Sequence, residues 1–272
     1  MTRLRKSRSG RNGRSSGAST FGWILLAVLA LMGAGVAGWY AHTHRPVELD
    51  DLNCPPGGPT AATLVVLDLT DAVAPAQMRR IRQEIEREID DAPEGAMIAV
   101  GTVRPAGEPG MRVFAACKPS DGKEASQLTQ NPRMIRERYE TTFLAPLNAE
   151  LHAMASVGDA SSSPIMETIQ ETIAAAPGWT DVQGRRRLVL ASDLLQHSKA
   201  FSLYAGGDWK DFQATPDHAR LSRNLEGVEI EILRLPRPRA RISDPTAVDD
   251  FWAGYFDRQG ARAPRVRIVG DL

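Results

Sequence analysis

Acidic and hydroxyl side chains follow two apolar segments of this sequence, at the points where the segments end. Asp68 and Thr70 come directly after the apolar run TLVVL, and Asp193 comes shortly after the run RLVLA. Between these two places, a serine cluster that includes Ser161 and Ser163 precedes a helical pattern. Carboxylate and hydroxyl oxygens are the ligands that a hard cation such as Mg²⁺ prefers. These residue types therefore suggest a cation site.

Apolar segments alternate with helical patterns and predict the elements that must position these side chains. The predicted strands are 63–67, 96–103, 111–117, 187–191, 227–233 and 264–269. Apolar residues at helical spacing predict helices that begin near Pro75 and near Pro132. Ser163 is a plausible N-cap of a further helix, with Pro164 at its first position. A tight turn before the third strand makes that strand antiparallel to the second.

Strands that alternate with helices indicate a single three-layer α/β domain of the Rossmann-like kind. We expect a six-stranded, mostly parallel sheet with one antiparallel edge strand. In such a sheet the ligand crevice lies at the carboxyl ends of the strands, beside the topological switch point. A single aspartate after a strand is more often a helix cap or a turn residue. Two aspartates with hydroxyls beside them favour a magnesium-type site formed by Asp68, Thr70, Asp193 and serines 161 and 163.

An uncharged apolar stretch, 21–40, precedes the domain and predicts a single transmembrane helix. Its twenty residues would span roughly 30 Å as a helix, which matches the hydrocarbon core of a bilayer. The preceding flank is basic and the following one soon becomes acidic, so we expect a single-pass protein of the cell (inner) membrane. Its N-terminus would be cytoplasmic and the bulk of the chain extracytoplasmic or periplasmic. The alternative is a cleaved signal peptide, because Gly35, Val36 and Ala37 are small residues at cleavage spacing.

The charge distribution distinguishes the N-terminal segment from the domain and argues against a nucleic-acid partner. Residues 1–20 hold six of the 33 basic side chains and no acidic one, so we predict a disordered cytoplasmic tail. Residues 41–62 are rich in proline and predict a linker to the domain at 63–272. That domain is not strongly basic, so no nucleic-acid partner is expected. Two local basic clusters, 185–187 and 234–241, are predicted to be solvated strand ends, with an acidic partner as the alternative.

With these residues in place, residues 60–272 resemble a von Willebrand factor A-type (VWA) domain with a metal-ion-dependent adhesion site. The order of predicted elements matches that family. The family's first metal loop has the pattern Asp-x-Ser-x-Ser, to which Asp68 and Thr70 conform. Ala72 departs from the pattern because it offers no side-chain oxygen, and Asp71 is a candidate replacement. The cluster of serines 161 to 163 and Asp193 correspond to the second and third loops.

The resemblance implies a binding module and not an enzyme. In the family, a carboxylate of the partner protein completes the coordination of the metal. We therefore expect a protein partner on the extracytoplasmic side, a lipid bilayer around residues 21–40, and Mg²⁺ at a site that Ala72 could leave weak or vestigial. The alternative is a phosphohydrolase of the haloacid-dehalogenase type with Asp68 as nucleophile. Thr70 departs from that pattern, since it stands where the acid/base aspartate is required.

The resemblance also bears on the two cysteines. Cys54 precedes the first strand, and Cys117 ends the antiparallel third strand, so both would lie at the edge of the sheet opposite the crevice. The strand order of the family places the second strand between them, a gap of about 10 Å at ~4.8 Å per strand. The segment after Cys54 is long enough to span it. An extracytoplasmic compartment is oxidising, so we predict a Cys54–Cys117 disulfide, with two independent thiols as the alternative.

Overall fold

The computed structural model describes residues 17–43, 49–105, 113–127, 130–154, 160–237 and 245–270. The chain divides into two compact units, 1–47 and 48–272. The first unit contains helix α1 (Gly17–Thr43). Within it, Gly22–Trp39 has a mean hydropathy of 1.9 and is long and apolar enough to cross a membrane. The predicted tail lies mostly outside the described residues.

The second unit is built on one six-stranded sheet. Its strands are β1 (Ala62–Asp68), β2 (Met97–Val103), β3 (Val113–Cys117), β4 (Arg186–Ser192), β5 (Glu229–Arg234) and β6 (Arg265–Ile268). Their order across the sheet is β3-β2-β1-β4-β5-β6. All neighbouring strands are parallel except β2 and β3. The predicted sheet, with one antiparallel edge strand, is confirmed.

The remaining elements of the second unit are helical. The α-helices are α2 (Pro75–Asp91), α3 (Pro132–Tyr139), α4 (Ala145–Met154), α5 (Ile165–Ala175), α6 (Trp209–Gln213), α7 (Asp217–Arg220) and α8 (Pro245–Arg258). A π-helical turn at Glu140–Leu144 joins α3 to α4, and a short 3₁₀ turn lies at Leu203–Ala205. The helix predicted to begin near Pro132 is therefore the first of three consecutive helical segments.

The alternation of side chains along the central strands explains the three layers. Leu64 and Val66 of β1 point into one core, which α5 and α8 complete. Val65 and Leu67 point into the other core, which contains the buried isoleucines of α2. A strand that is buried on both faces requires a nearly continuous apolar run, which β1 has. The prediction of helices on both faces of the sheet is confirmed.

The predicted cap of α5 is wrong, and the reason concerns the crevice. Pro164 is the N-cap residue, and it makes no side-chain capping bond. The Ser163 hydroxyl instead donates to the Asp68 carboxylate, at 3.1 Å. The Ser163 amide and carbonyl also bond to the backbone of His197. Both the side chain and the backbone of Ser163 therefore bond to residues outside α5, and Ser163 does not cap the helix.

The predicted disulfide between Cys54 and Cys117 is present, with their Cα atoms 4.8 Å apart. The segment before β1 crosses the distance between β1 and β3 and brings Cys54 next to Cys117. Leu52 runs beside the end of β3, where its carbonyl accepts a 2.7 Å hydrogen bond from the Cys117 amide. The Asp50 carboxylate fixes this turn by accepting from the amides of Leu52 and Cys54. The end of the predicted linker is thus part of the folded domain.

Candidate functional site

Asp68 is the centre of a buried network at the carboxyl ends of β1 and β4. One of its carboxylate oxygens accepts from the hydroxyl of Thr70 at 2.6 Å and from the Thr70 amide at 3.2 Å. The other accepts from the hydroxyls of Ser192 at 2.7 Å and Ser163 at 3.1 Å. Both oxygens are therefore engaged, and the charge of a carboxylate that is only 2% exposed is stabilised by neutral donors.

The sheet register explains why these side chains meet. Leu67 pairs with Ala191, so the residues that follow them, Asp68 and Ser192, lie side by side and point to the same face. That face carries α5, and the turn before α5 presents Ser163. Ser192 has a second role, because its hydroxyl accepts a 2.8 Å bond from the Leu194 amide. It therefore links Asp68 to the turn that follows β4.

Asp193 lies beside this network and pairs with an arginine. Its carboxylate accepts a 2.9 Å bond from the Leu195 amide and a 3.2 Å bond from Nε of Arg237. The same guanidinium donates to the carbonyl oxygen of Ala72 at 2.6 Å and lies 3.8 Å from the Asp71 carboxylate. Arg237 thus bridges the loops that follow β1 and β4. Its side chain is 18% exposed, and that of Asp193 is 5% exposed.

The segment after β5 brings Arg237 over the crevice. The Leu235 amide donates to the Ser192 carbonyl at 2.9 Å, which extends the pairing of β5 with β4 beyond the named strands. Arg237 follows Pro236 and precedes Pro238 in the sequence. A residue before proline is restricted to extended backbone conformations, and proline itself has a fixed φ. The backbone on both sides of Arg237 therefore has few conformations to lose when the guanidinium binds.

An open cavity of about 250 Å³ lies at the mouth of the crevice. Its lining consists of Thr70, Asp71, Ala160, Ser161, Ser162, Ser163, His197 and Tyr204. Tyr204 is half exposed and packs edge-on against the His197 ring, with 5.5 Å between ring centroids. The His197 Nδ1 lies 2.8 Å from the Ser202 hydroxyl, which fixes the orientation of the ring. Hydroxyl, carboxylate and ring groups therefore line a cavity that is open to solvent and lies above the buried Asp68 network.

The electrostatics of the crevice are dominated by its carboxylates. Burial, followed by the neighbouring Asp68 charge, raises the pKa of Asp193 to about 6, and the Leu195 amide and Arg237 oppose this rise. Partial burial and the same carboxylates raise the pKa of the Tyr204 phenol, so this group remains a hydrogen-bond donor. Of the three aspartates described in the crevice, Asp71 and Asp193 face the Arg237 guanidinium, and Asp68 is bonded to hydroxyls and an amide.

The structure brings most of the sequence-predicted site residues together. Asp68, Thr70 and Ser163 are in direct contact, and Asp193 is adjacent to Ser192 of the same network. Ser161 lines the open cavity and is exposed. Asp71, the candidate replacement for the oxygen that Ala72 lacks, is half exposed and faces Arg237.

Sequence reasoning missed the role of Ser192 as a hydrogen-bond partner of Asp68. The signal for it was present, because Ser192 follows the same apolar run as Asp193. It also missed Arg237, because the basic cluster 234–241 was expected to be solvated. Contact with a loop 165 residues earlier in the chain leaves no local trace in the sequence.

The magnesium site stays a prediction, and its donors can be compared with what a divalent cation requires. A cation needs oxygens whose lone pairs are free to converge on it. Here Asp68 is engaged by hydroxyls, Asp193 is paired with Arg237, and the Ala72 carbonyl accepts from the same guanidinium. Within the described residues, no group of three or more His, Cys, Asp or Glu side chains is placed to hold a metal ion. With Arg237 in this position, the residues do not fit a tightly held divalent cation.

The element order, the place of β2 between β1 and β3, and the position of this crevice are those that the sequence resemblance implied, and the domain has a VWA-like fold. No family model matches the chain, and no curated protein matches it in sequence. Among solved structures, the VWA domain of SpRpn10 is similar, with 14% identity and a TM-score of 0.41 over 78% of this chain and 90% of that one.

Two further solved structures are similar to the chain at low identity. One is the conserved hypothetical protein BatB from Bacteroides thetaiotaomicron, with 12% identity and a TM-score of 0.38 over 76% of this chain and 91% of that one. The other is an aerotolerance-related membrane protein from Bacteroides fragilis NCTC 9343, with multiple mutations to serines. It has 13% identity and a TM-score of 0.34 over 78% of this chain and 92% of that one.

Proposed function

We propose that this chain is a membrane-anchored, extracytoplasmic binding module that docks a protein partner at the crevice. The observation that carries the proposal is the open cavity at the carboxyl ends of β1 and β4, above the buried Asp68 network. Beneath it, hydrogen bonds to Asp68 connect Thr70, Ser163 and Ser192, which joins the loops that line the cavity. The half-exposed side chains of Asp71 and Tyr204 line this cavity, where a partner surface can contact them.

The contacts of Asp68 support docking over catalysis. A nucleophilic carboxylate must have an oxygen free to attack, and an acid two positions later must protonate the leaving group. Both oxygens of Asp68 accept hydrogen bonds, and the residue two positions later is Thr70, whose hydroxyl donates to Asp68 itself. These contacts favour a binding module over a phosphohydrolase.

Two features support an extracytoplasmic domain on a single-pass anchor. The stretch Gly22–Trp39 can span a bilayer, and the six basic side chains before it favour a cytoplasmic N-terminus. The Cys54–Cys117 disulfide suits an oxidising compartment. Free-thiol titration of the chain, unfolded without reductant after production in cells, tests this sidedness. No reactive thiol is expected, because both cysteines are in the disulfide, and two reactive thiols would contradict export.

Site-specific photo-crosslinking in intact cells tests the docking site. A benzoyl-phenylalanine replaces Tyr204 at the cavity, and in a matched control it replaces the exposed Glu94, which lies before β2 at the opposite edge of the sheet. A discrete adduct with one protein at position 204, absent at position 94, is the expected result. Equal labelling at both positions, or labelling at neither, would mean that the crevice is not the docking surface.

A further inference from the structure

The loops after β1 and β4 hold a cation that the chain itself supplies. The Arg237 guanidinium contacts the Asp193 carboxylate and the Ala72 carbonyl and lies near the Asp71 carboxylate. Ala72 is the position at which the sequence offers no side-chain oxygen for a metal. Its backbone oxygen is instead an acceptor for the guanidinium. The missing ligand and the added arginine therefore meet at the same place.

We infer that Arg237 is the resident cation of this crevice and takes the place of a divalent metal, so that the site is metal-independent. A guanidinium suits this role because it is always charged and donates several hydrogen bonds in one plane, whereas a metal requires a complete set of oxygen ligands. A divalent cation added between Asp193 and Asp71 would have to displace the guanidinium or lie beside its charge. The first alternative gives up the contacts of Arg237 with Asp193 and the Ala72 carbonyl, and the second places two positive charges side by side.

Two details of the chain support a built-in role for this arginine. The side chain is mostly buried, and the flanking prolines restrict the backbone on either side of it. An exposed arginine that met Asp193 by chance would have neither the burial nor the restricted backbone. The inference holds whether or not a protein docks at the cavity, because it concerns contacts within this chain.

Metal binding to the full-length chain in detergent micelles tests the inference, with Mn²⁺ and Mg²⁺ as probes. Electron paramagnetic resonance measures bound Mn²⁺, and thermal unfolding is followed with either metal or with a chelator. For the wild type we expect no stoichiometric Mn²⁺ binding and a change in Tm of less than about 1 °C between metal and chelator. For Arg237→Ala we expect a lower Tm in chelator and a partial recovery of several degrees in Mn²⁺, since the freed carboxylates can then accept the ion.

Arg234→Ala is the matched control. Arg234 is 21% exposed, close to Arg237 in exposure, and it pairs with Asp249 of α8 instead of with a carboxylate of the crevice. We expect this variant to be as insensitive to metal as the wild type. Stoichiometric Mn²⁺ binding by the wild type would overturn the inference, and so would an Arg237→Ala variant with no response to metal. The wild-type measurement decides the question even if Arg237→Ala fails to fold.

Discussion

The domain buries two groups of carboxylates and stabilises them in different ways. Beneath α2, Glu84, Glu88 and Glu231 are each less than a tenth exposed, and arginines surround them. Arg187 bonds to Glu88 at 2.8 Å and to Glu231, and Arg267 bonds to Glu84 at 3.0 Å and to Glu231. At the crevice, Asp68 is stabilised by hydroxyls, and one arginine serves Asp193 and Asp71.

The difference distinguishes a structural cluster from a candidate binding site. Where every buried acid is paired with at least one arginine, the carboxylates are already occupied by partners within the domain. Where neutral donors fix a carboxylate and the acids outnumber the arginine, the group keeps a negative excess beside an open cavity. Buried acidic residues alone therefore do not indicate a site, because the balance of their partners decides what they can do.

Removing the basic centre of the structural cluster is the change with the largest expected effect. Arg187→Ala leaves Glu88 and Glu231 buried without their shared partner, and we expect a loss of about 3–5 kcal/mol in the free energy of unfolding. Denaturant unfolding of the full chain, followed by tryptophan fluorescence, measures it. Arg262→Ala is the control, since Arg262 is 64% exposed and its pair with Glu229 should contribute less than about 1 kcal/mol. Similar losses in both variants would remove the distinction between the two groups.

We expect a smaller loss in the free energy of unfolding when a donor of the crevice is removed, because the hydroxyl donors are neutral. Ser192→Ala removes one donor to Asp68 and the acceptor of the Leu194 amide, so we expect a cost of about 1–3 kcal/mol in the same unfolding assay. A cost as large as that of Arg187→Ala would mean that the hydroxyl network is as essential to folding as the ion pairs. The crevice would then be primarily structural.

A pair of serine variants distinguishes the buried network around Asp68, which is the floor of the crevice, from the open cavity at its mouth. Ser163→Ala removes a buried donor to Asp68, and we expect a loss of about 1 kcal/mol. Ser161→Ala changes an exposed hydroxyl of the cavity lining, and its stability should stay within about 0.5 kcal/mol of the wild type. If Ser161→Ala were the more costly of the two, the assignment of floor and mouth would be reversed.

The smallest expected effect is a pH dependence of the structural cluster. Burial raises the pKa of Glu88 above its ordinary value of 4.5, and the charge of Arg187 opposes this only in part. The folded state therefore holds this proton more tightly than the unfolded state does. The wild type should lose stability relative to Glu88→Gln as the pH rises through 4.5 towards the raised pKa, and the difference should be constant at higher pH. A gain over that interval would mean that Arg187 outweighs burial.

The fold could be predicted from the sequence because its strongest signals are local. The apolar run of β1, the turn before β3 and the helical spacing of α2 each determine an element without help from distant residues. Asp68 and Asp193 followed from the same signals, since the ends of parallel strands meet at one edge. The predicted boundaries of the strands differ from the observed ones by up to two residues.

The partners of the charged residues could not be predicted, because they depend on contacts far apart in the chain. Arg187 was expected to be a solvated strand end, and the structure shows that this is wrong: it is 13% exposed and pairs with Glu88 and Glu231. Glu84 and Glu88 lie among the charged positions between the isoleucines of α2 and are nevertheless buried. Helical spacing predicts the apolar stripe but does not show that arginines of neighbouring strands will cover the residues beside it.

If the domain is anchored through its N-terminal segment, as proposed, the Cys54–Cys117 disulfide has a mechanical consequence. Tension that arrives along the chain at Cys54 is divided between two covalent routes, the backbone towards β1 and the sulfur bridge to the end of β3. β1 is central and β3 is at the edge of the sheet, so the force is shared by two strands that flank β2. A pull on such a tether would therefore act on β1 and β3 together and not on the first strand alone.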